Sequence, residues 1–223
     1  MARARMVEKE QSLPLTREDA RLLGAERIKI EIPAIQLITF DVLVVGDTPL
    51  IVHRFEEKAR EEMRRKQGQL PQKKKEPKDP AAYYEAAFYR LPDGRYGFPA
   101  SAFRQAMVAA AGFVENVYKT TTRGSFTIIE DDKREHLVAF ASHSEPWMRE
   151  DVVRLQGTTT DLRYRPQFDE WSVKLTFALM RGAGLSPSQL MQLLSIAGFS
   201  IGIGEWRPAK NGSNGRFLLQ VGD

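Results

Sequence analysis

Ser186-Pro187-Ser188-Gln189-Leu190-Met191-Gln192-Leu193-Leu194-Ser195-Ile196-Ala197-Gly198 decides how the rest of the chain is read. Ser186 with Gln189 three positions on is a capping box, and Pro187 takes the first helical position, where its missing N–H has no helical partner to lose. Leu190, Leu193, Leu194 and Ala197 then recur at helical spacing until Gly198 stops the run. On one side lies a strand over residues 171–179, with Val173, Leu175 and Phe177 on one face. On the other, Ile201-Gly202-Ile203-Gly204-Glu205-Trp206-Arg207-Pro208-Ala209-Lys210-Asn211-Gly212-Ser213-Asn214-Gly215-Arg216-Phe217 leads into a last strand over residues 216–221. The order is strand, well-capped helix, glycine-rich stretch, strand.

The same grammar holds further out. Residues 36–45 are β-branched and partly continuous in apolar character, which predicts a central strand, and Gly46-Asp47-Thr48-Pro49 turns the chain. Residues 99–111 predict a helix with Phe103, Ala106, Met107 and Ala110 on one face. Residues 88–90 and 96–98 read as hairpin arms around Pro92-Asp93-Gly94. Strands are expected over 126–129, 137–140 and 152–155, while Arg123, beside Lys119 and three threonines, reads as loop. The fold class expected is α+β: an antiparallel sheet, helices packed on one face, and large insertions. Residues 1–27 read as a mobile arm with a short helix, and residues 28–223 as one domain carrying a basic flexible insertion at about 54–79.

Composition narrows the function. The chain has 223 residues, 42% of them hydrophobic, and no cysteine, so disulfide and thiolate-metal sites are excluded. His53, His136 and His143 fit no common zinc spacing, and neither a metal nor a cofactor is expected. No apolar run approaches the roughly 18 residues that span a bilayer, so the expected location is the cytoplasm, away from membranes. Charge is local: residues 54–78 hold ten Lys/Arg and five Asp/Glu, a surplus of +5 against +4 for the whole chain, which leaves −1 elsewhere. Such a distribution suits an anionic partner met along one surface.

Two stretches carry a family likeness. Gly97-Phe98-Pro99-Ala100-Ser101-Ala102-Phe103-Arg104 resembles the helix opening of the repeat-associated mysterious protein (RAMP) superfamily. Gly202-Ile203-Gly204, followed after a basic gap by Gly212 and Gly215-Arg216-Phe217, resembles that superfamily's glycine-rich loop. Within it the nearest shape is the backbone subunit of CRISPR surveillance complexes. The resemblance implies a ferredoxin-like or RNA-recognition-motif-like sheet and a protein that assembles with copies of itself, and with other complex subunits, along a guide RNA.

The candidate site residues fall in four groups. Gly202, Gly204, Gly212 and Gly215 would let the backbone approach a partner, with Arg207, Lys210 and Arg216 binding phosphate and Trp206 stacking on a base. Arg163 and Arg165 alternate with Tyr164 on an extended stretch, as on single-strand-binding surfaces. Arg104 lies on the polar side of the first helix, and Lys73, Lys74 and Lys75 lie in the basic insertion. His53 and Asp47 are the catalytic candidates, should the protein cleave RNA without metal. The leading expectation is a non-catalytic, oligomeric binder of single-stranded nucleic acid, RNA favoured over DNA. A metal-independent endoribonuclease using His53 and an assembly protein contacting only protein are the alternatives.

Overall fold

The structure is a computed structural model that describes residues 34–54, 63–69, 77–154 and 160–220. The chain divides into a unit ending at Ala34 and a unit from Ile35 to Asp223, and the second is the one described below. The arm expected at 1–27, and Lys73, Lys74 and Lys75, lie outside the described residues.

The strand β1 (Leu37–Gly46) is an inner strand of the main sheet, antiparallel to β8 (Trp171–Met180) on one side and to β9 (Phe217–Gln220) on the other. The far edge of β8 pairs with both β4 (Phe126–Ile129) and β5 (Leu137–His143), and β3 (Gly97–Pro99) adds to β5. The helix α2 (Ala100–Ala110) lies in the chain between β1 and β4, and α4 (Pro187–Ile196) connects β8 to β9. With β4 and β5 counted as one interrupted strand, the chain runs βαββαβ in the spatial order β9-β1-β8-β4/β5. Each helix crosses over an intervening strand, which is the ferredoxin-like arrangement and the fold class expected from the sequence.

Strand register explains the two faces. Ile38, Phe40, Val42 and Val44 stand opposite Leu179, Phe177, Leu175 and Val173, so one face is apolar throughout. That face packs with Phe103 and Met107 of α2 and with Leu190, Leu193 and Leu194 of α4, all at most 1% exposed. Each such side chain contributes about 1.5–3 kcal/mol by leaving water. The alternate residues Thr39, Asp41, Lys174 and Thr176 face away, and Asp41 accepts from Thr176 at 2.7 Å and pairs with Lys174 at 2.7 Å. These two partners, Lys174 first, hold the Asp41 carboxyl below its ordinary value. The open face of this sheet therefore offers paired charge in place of the aromatic platform of an RNA-recognition motif.

Local signals account for the helices. In α4 the Ser186 hydroxyl accepts from Gln189 N at 3.2 Å while the Gln189 side chain accepts from Ser186 N at 2.9 Å, so the capping box is present. The helix α1 (Pro80–Ala86) starts at Asp79, whose carboxylate accepts from Ala81 N and Ala82 N. Gly46, at the end of β1, is required by packing: a Cβ there would lie 2.3 Å from Trp171 Nε1. The buried indole donates to Thr48 O at 2.9 Å.

Two insertions build a second sheet. The strand β2 (Leu50–Ile51) follows the first turn, and β6 (Trp147–Arg154) and β7 (Thr160–Phe168) form a hairpin between β5 and β8. β2 pairs with β7, giving the order β2-β7-β6. Two sequence readings are corrected here. Residues 119–125, read as loop, form α3 (Lys119–Ser125), where Ser125 Oγ donates to Thr121 O and Arg104 Nη2 donates to Arg123 O, both at 2.6 Å. The strand expected at 152–155 begins at Trp147, because its inward face is polar and shows no apolar alternation. Within the insertion read at about 54–79, residues 63–67 are helical and 55–62 lie outside the described residues.

Candidate nucleic-acid interface

Beyond α4 the helix does not stop at Gly198. It widens into a π-turn over Ala197–Ile201, and a 3-10 turn (Pro208–Lys210) follows inside the glycine-rich stretch. Gly198 is tolerated there because a Cβ would meet Phe217 O at 2.1 Å, so the turn lies flat against β9. The extra turn carries Phe199 outward, where it is 64% exposed.

The glycines of the stretch bring it against itself and against β2. A Cβ on Gly215 would sit 1.8 Å from Ile203 O, and one on Gly212 would sit 1.8 Å from Trp206 O. A Cβ on Gly204 would sit 2.6 Å from Ile51 O and one on Gly202 2.7 Å from Pro208 Cδ. Hydrogen bonds close the same contacts: Ile203 N to Gly215 O, Glu205 N to Ile51 O, Gly215 N to Pro49 O and Asn214 N to Trp206 O, at 2.8–3.0 Å. At these contacts the glycines admit the chain's own backbone.

The loop so closed presents Trp206. Its φ is +52°, in the left-handed region that a bulky residue enters only at a cost of about 1–3 kcal/mol, and the residue is 42% exposed. Gly212, by lacking a Cβ, leaves room for the Trp206 carbonyl in that conformation. The cations are arranged around it. Lys210 is exposed, and Arg207 is half-buried with Nη1 donating to Gly204 O at 2.8 Å. Arg216 lies 3.3 Å from Asp47 Oδ2 with its guanidinium 4.6 Å from the centre of the Phe199 ring. Its Nε is buried without a hydrogen-bond partner among the described residues. Asp47, a catalytic candidate in the sequence, is thus an ion-pair partner of Arg216 and its backbone N–H donates to Arg216 O.

Glu205 joins this loop to the second sheet. Its Oε1 is 3.7 Å from His53 Nδ1 and its Oε2 is 3.8 Å from Arg165 Nη2. The adjacent His53 imidazole is the largest cause holding this carboxyl below its ordinary value, and the Arg165 and Arg163 charges reinforce it against partial burial. Arg163 and Arg165 do share one face of β7, as alternation requires, but they differ in kind. Arg163 is half-buried, whereas the Arg165 side chain is 3% exposed and donates to Asp151 Oδ2 at 3.2 Å. Asp151 also accepts from Arg149 Nε at 2.8 Å, and Arg149 donates to Gln167 Oε1 at 3.1 Å. Arg165 is therefore a strut inside the second sheet, paired with carboxylates, while Arg163 is left nearer the surface.

The contacts form two sets, Arg216 with Asp47 and Phe199, and Glu205 with His53, Arg165 and Arg163, while Trp206, Arg207 and Lys210 lie on the loop between Glu205 and Arg216. Phe199 was missed because Gly198 reads as a helix stop; only its place beside a cationic loop could have hinted at it. Arg104 is turned to the carbonyl of Arg123, at the other helix. A groove of about 650 Å³ lined by Asp93, Arg95, Tyr96, Ser142 and His143 lies apart, and its charges are satisfied locally, with Arg95 on Asp93 at 2.8 Å. No cluster of three or more potential metal ligands occurs among the described residues, and no described helix is long and apolar enough to cross a membrane.

No family model matches the chain, and no curated protein does. Among solved structures, the crystal structure of Cmr6 from Pyrococcus furiosus is similar, with 10% identity, 84% of this chain and 100% of that chain covered, and a TM-score of 0.42.

Proposed function

We propose that this protein holds single-stranded nucleic acid, RNA in preference to DNA, along the glycine-rich loop and the adjoining edge of the second sheet, without cleaving it. The observation that carries this reading is a run of two exposed aromatics and three cations along the π-turn and the loop that follows it. Phe199 and Trp206 are 64% and 42% exposed, Arg207 and Lys210 follow Trp206 in the loop, and the Arg216 guanidinium lies 4.6 Å from the centre of the Phe199 ring. Stacking accepts any base and is worth about 1–3 kcal/mol per base, while the cations take the phosphates. The strained backbone at Trp206 supports the same reading, since such conformations persist where they serve a ligand. One such patch binds weakly and loses affinity with salt, so the protein acts as an oligomer, several copies sharing one strand and gaining by multivalency.

The test is fluorescence anisotropy with labelled single-stranded oligonucleotides across a salt series. Trp206→Ala should weaken binding by about ten- to a hundredfold, the equivalent of one stacked base. Joint replacement of Arg207, Lys210 and Arg216 by Ala should lower the slope of log affinity against log salt by about 0.7 for each phosphate no longer neutralised. Wild-type protein that binds no single strand at low salt would reject the reading and leave a protein-only assembly role.

The pairing of His53 with Glu205 favours a second reading, metal-independent RNA cleavage. A histidine beside a carboxylate can exchange a proton with a ribose hydroxyl, and the nearby Arg163 could stabilise the developing phosphorane charge. Structured RNA incubated with wild type and His53→Ala decides it: cutting that the variant loses supports this reading, and intact RNA in both tubes removes it.

A further inference from the structure

Glu205 is out of place on a surface that collects phosphate. It lies near Arg163, Arg165 and His53, its side chain is 41% exposed, and it directly precedes Trp206. A carboxylate there repels a polyanion unless it receives something in return. Its geometry leaves it free to do so. Both of its ion-pair contacts, 3.7 Å to His53 and 3.8 Å to Arg165, are longer than hydrogen bonds, so both oxygens keep lone pairs unclaimed by these neighbours. Its position is nonetheless fixed: Glu205 N donates to Ile51 O at 3.0 Å, tying the residue to β2, and His53 and Arg165 flank the carboxylate.

An ionised carboxylate only accepts hydrogen bonds. Within the sugar-phosphate backbone of a nucleic acid, one group donates whatever the base may be, and that group is the ribose 2′-hydroxyl. We propose that Glu205 accepts a hydrogen bond from the 2′-hydroxyl of the nucleotide whose base stacks on Trp206, and that this contact is how the interface distinguishes RNA from DNA. The inference rests on the binding function proposed above and deepens it. Trp206 holds the base, the neighbouring cations hold the phosphates, and Glu205, one residue away, meets the sugar between them. With the hydroxyl absent, the carboxylate gains no donor and retains its repulsion of the flanking phosphates, so deoxyribose is disfavoured on both counts.

The experiment compares three oligomers of equal length and base, oligouridylate, its 2′-deoxy form and its 2′-fluoro form, by anisotropy at one fixed low salt. Fluorine cannot donate, so both modified strands should bind wild type about tenfold or more weakly than the ribo strand, the loss expected for one hydrogen bond to a charged group. Glu205→Ala should bring all three affinities together, chiefly by tightening the modified strands. Glu205→Gln, which keeps an acceptor oxygen and the side-chain shape, should retain part of the preference. The inference is overturned if wild type binds the three strands equally, or if Glu205→Ala leaves the ratio unchanged. It is likewise overturned if oligoadenylate and oligouridylate differ more than ribose and deoxyribose do, which would assign the carboxylate to a base edge. Absence of binding to every strand is a different result, since it removes the binding function itself.

Discussion

Three glycine-to-alanine substitutions, one in the hairpin turn and two in the glycine-rich loop, separate the ways in which this chain uses glycine. Gly94, in the hairpin turn, has φ +88° and open space around a built Cβ; Gly212 has no positive φ but its Cβ would lie 1.8 Å from Trp206 O; Gly215 has φ +69° and a Cβ 1.8 Å from Ile203 O. Gly94→Ala therefore meets only the left-handed penalty of about 1–2 kcal/mol, partly offset by about 0.4–1 kcal/mol from a stiffer unfolded chain. Gly212→Ala meets only the clash. Ordinary contact begins near 3.4 Å, so the loop must open by well over an ångström, and the cost is about 1–3 kcal/mol for overpacking plus about 1 kcal/mol if the 3.1 Å bond from Gly212 N to Arg207 O is lost. Gly215→Ala meets both, for a total of roughly 3–4 kcal/mol. At about 2–4 °C per kcal/mol for a chain of this size, the melting temperature should fall least for Gly94→Ala, more for Gly212→Ala and by roughly 10 °C for Gly215→Ala. Thermal and urea melts followed by circular dichroism without ligand measure it. If Gly212→Ala and Gly215→Ala melt with wild type yet lose nucleic-acid binding, the self-packing argument is wrong and the glycines serve the partner.

Three further expectations concern the supports of the site. Asp151→Ala leaves the buried Arg165 guanidinium with only a distant Glu205, and breaking such a pair should destabilise the fold by about 3–5 kcal/mol in urea unfolding; a loss under about 1 kcal/mol would contradict the burial of that charge. Glu205 has a depressed folded-state pKa, so its contribution to stability is present above the ordinary carboxylate range and disappears as pH falls through the folded value. Melts between about pH 6 and pH 3 should therefore show wild type losing more stability than Glu205→Gln, and parallel profiles would count against the His53 and Arg165 contacts. Ser186→Ala removes half of the capping box and should cost about 1 kcal/mol, read as a small drop in melting temperature with binding unchanged.

The frame of this fold is written locally. The β-branched run that gives β1, the face of Phe103, Ala106 and Met107, and the Ser186 capping box each specify an element without help from distant residues, and all three occur where the pattern puts them. The second sheet is less legible because its inner face is built from Arg149, Asp151, Arg165 and Gln167. Pairing replaces apolarity there, and hydrophobic alternation carries no record of pairing. For the same reason Arg165 and Arg163 look alike in sequence although one is a strut and the other lies nearer the surface. The helix α3, with three threonines and a glycine, has poor intrinsic propensity and is fixed by bonds from Arg104 and Ser125. At the site, Trp206, Arg207, Lys210 and Arg216 could be named from composition alone. Phe199 and the role of Glu205 depend on a π-turn and on the return of the chain to β2, which only three dimensions supply.

The inner position of β1 also sets the order in which this chain can fold. Leu37 pairs with Met180 and Leu43 with Gln220, separations of 143 and 177 residues obtained by subtracting the paired numbers. Contacts so remote in sequence close large loops before they return any stabilisation, and chains dominated by them fold slowly. The β6–β7 hairpin, whose partners begin at Arg154 and Thr160, can zip early and wait. Throughout synthesis and refolding, then, the first of the described strands of the sheet, long and largely apolar, waits for β8 and β9 to arrive, and during that interval it is a stretch in need of shielding from other chains.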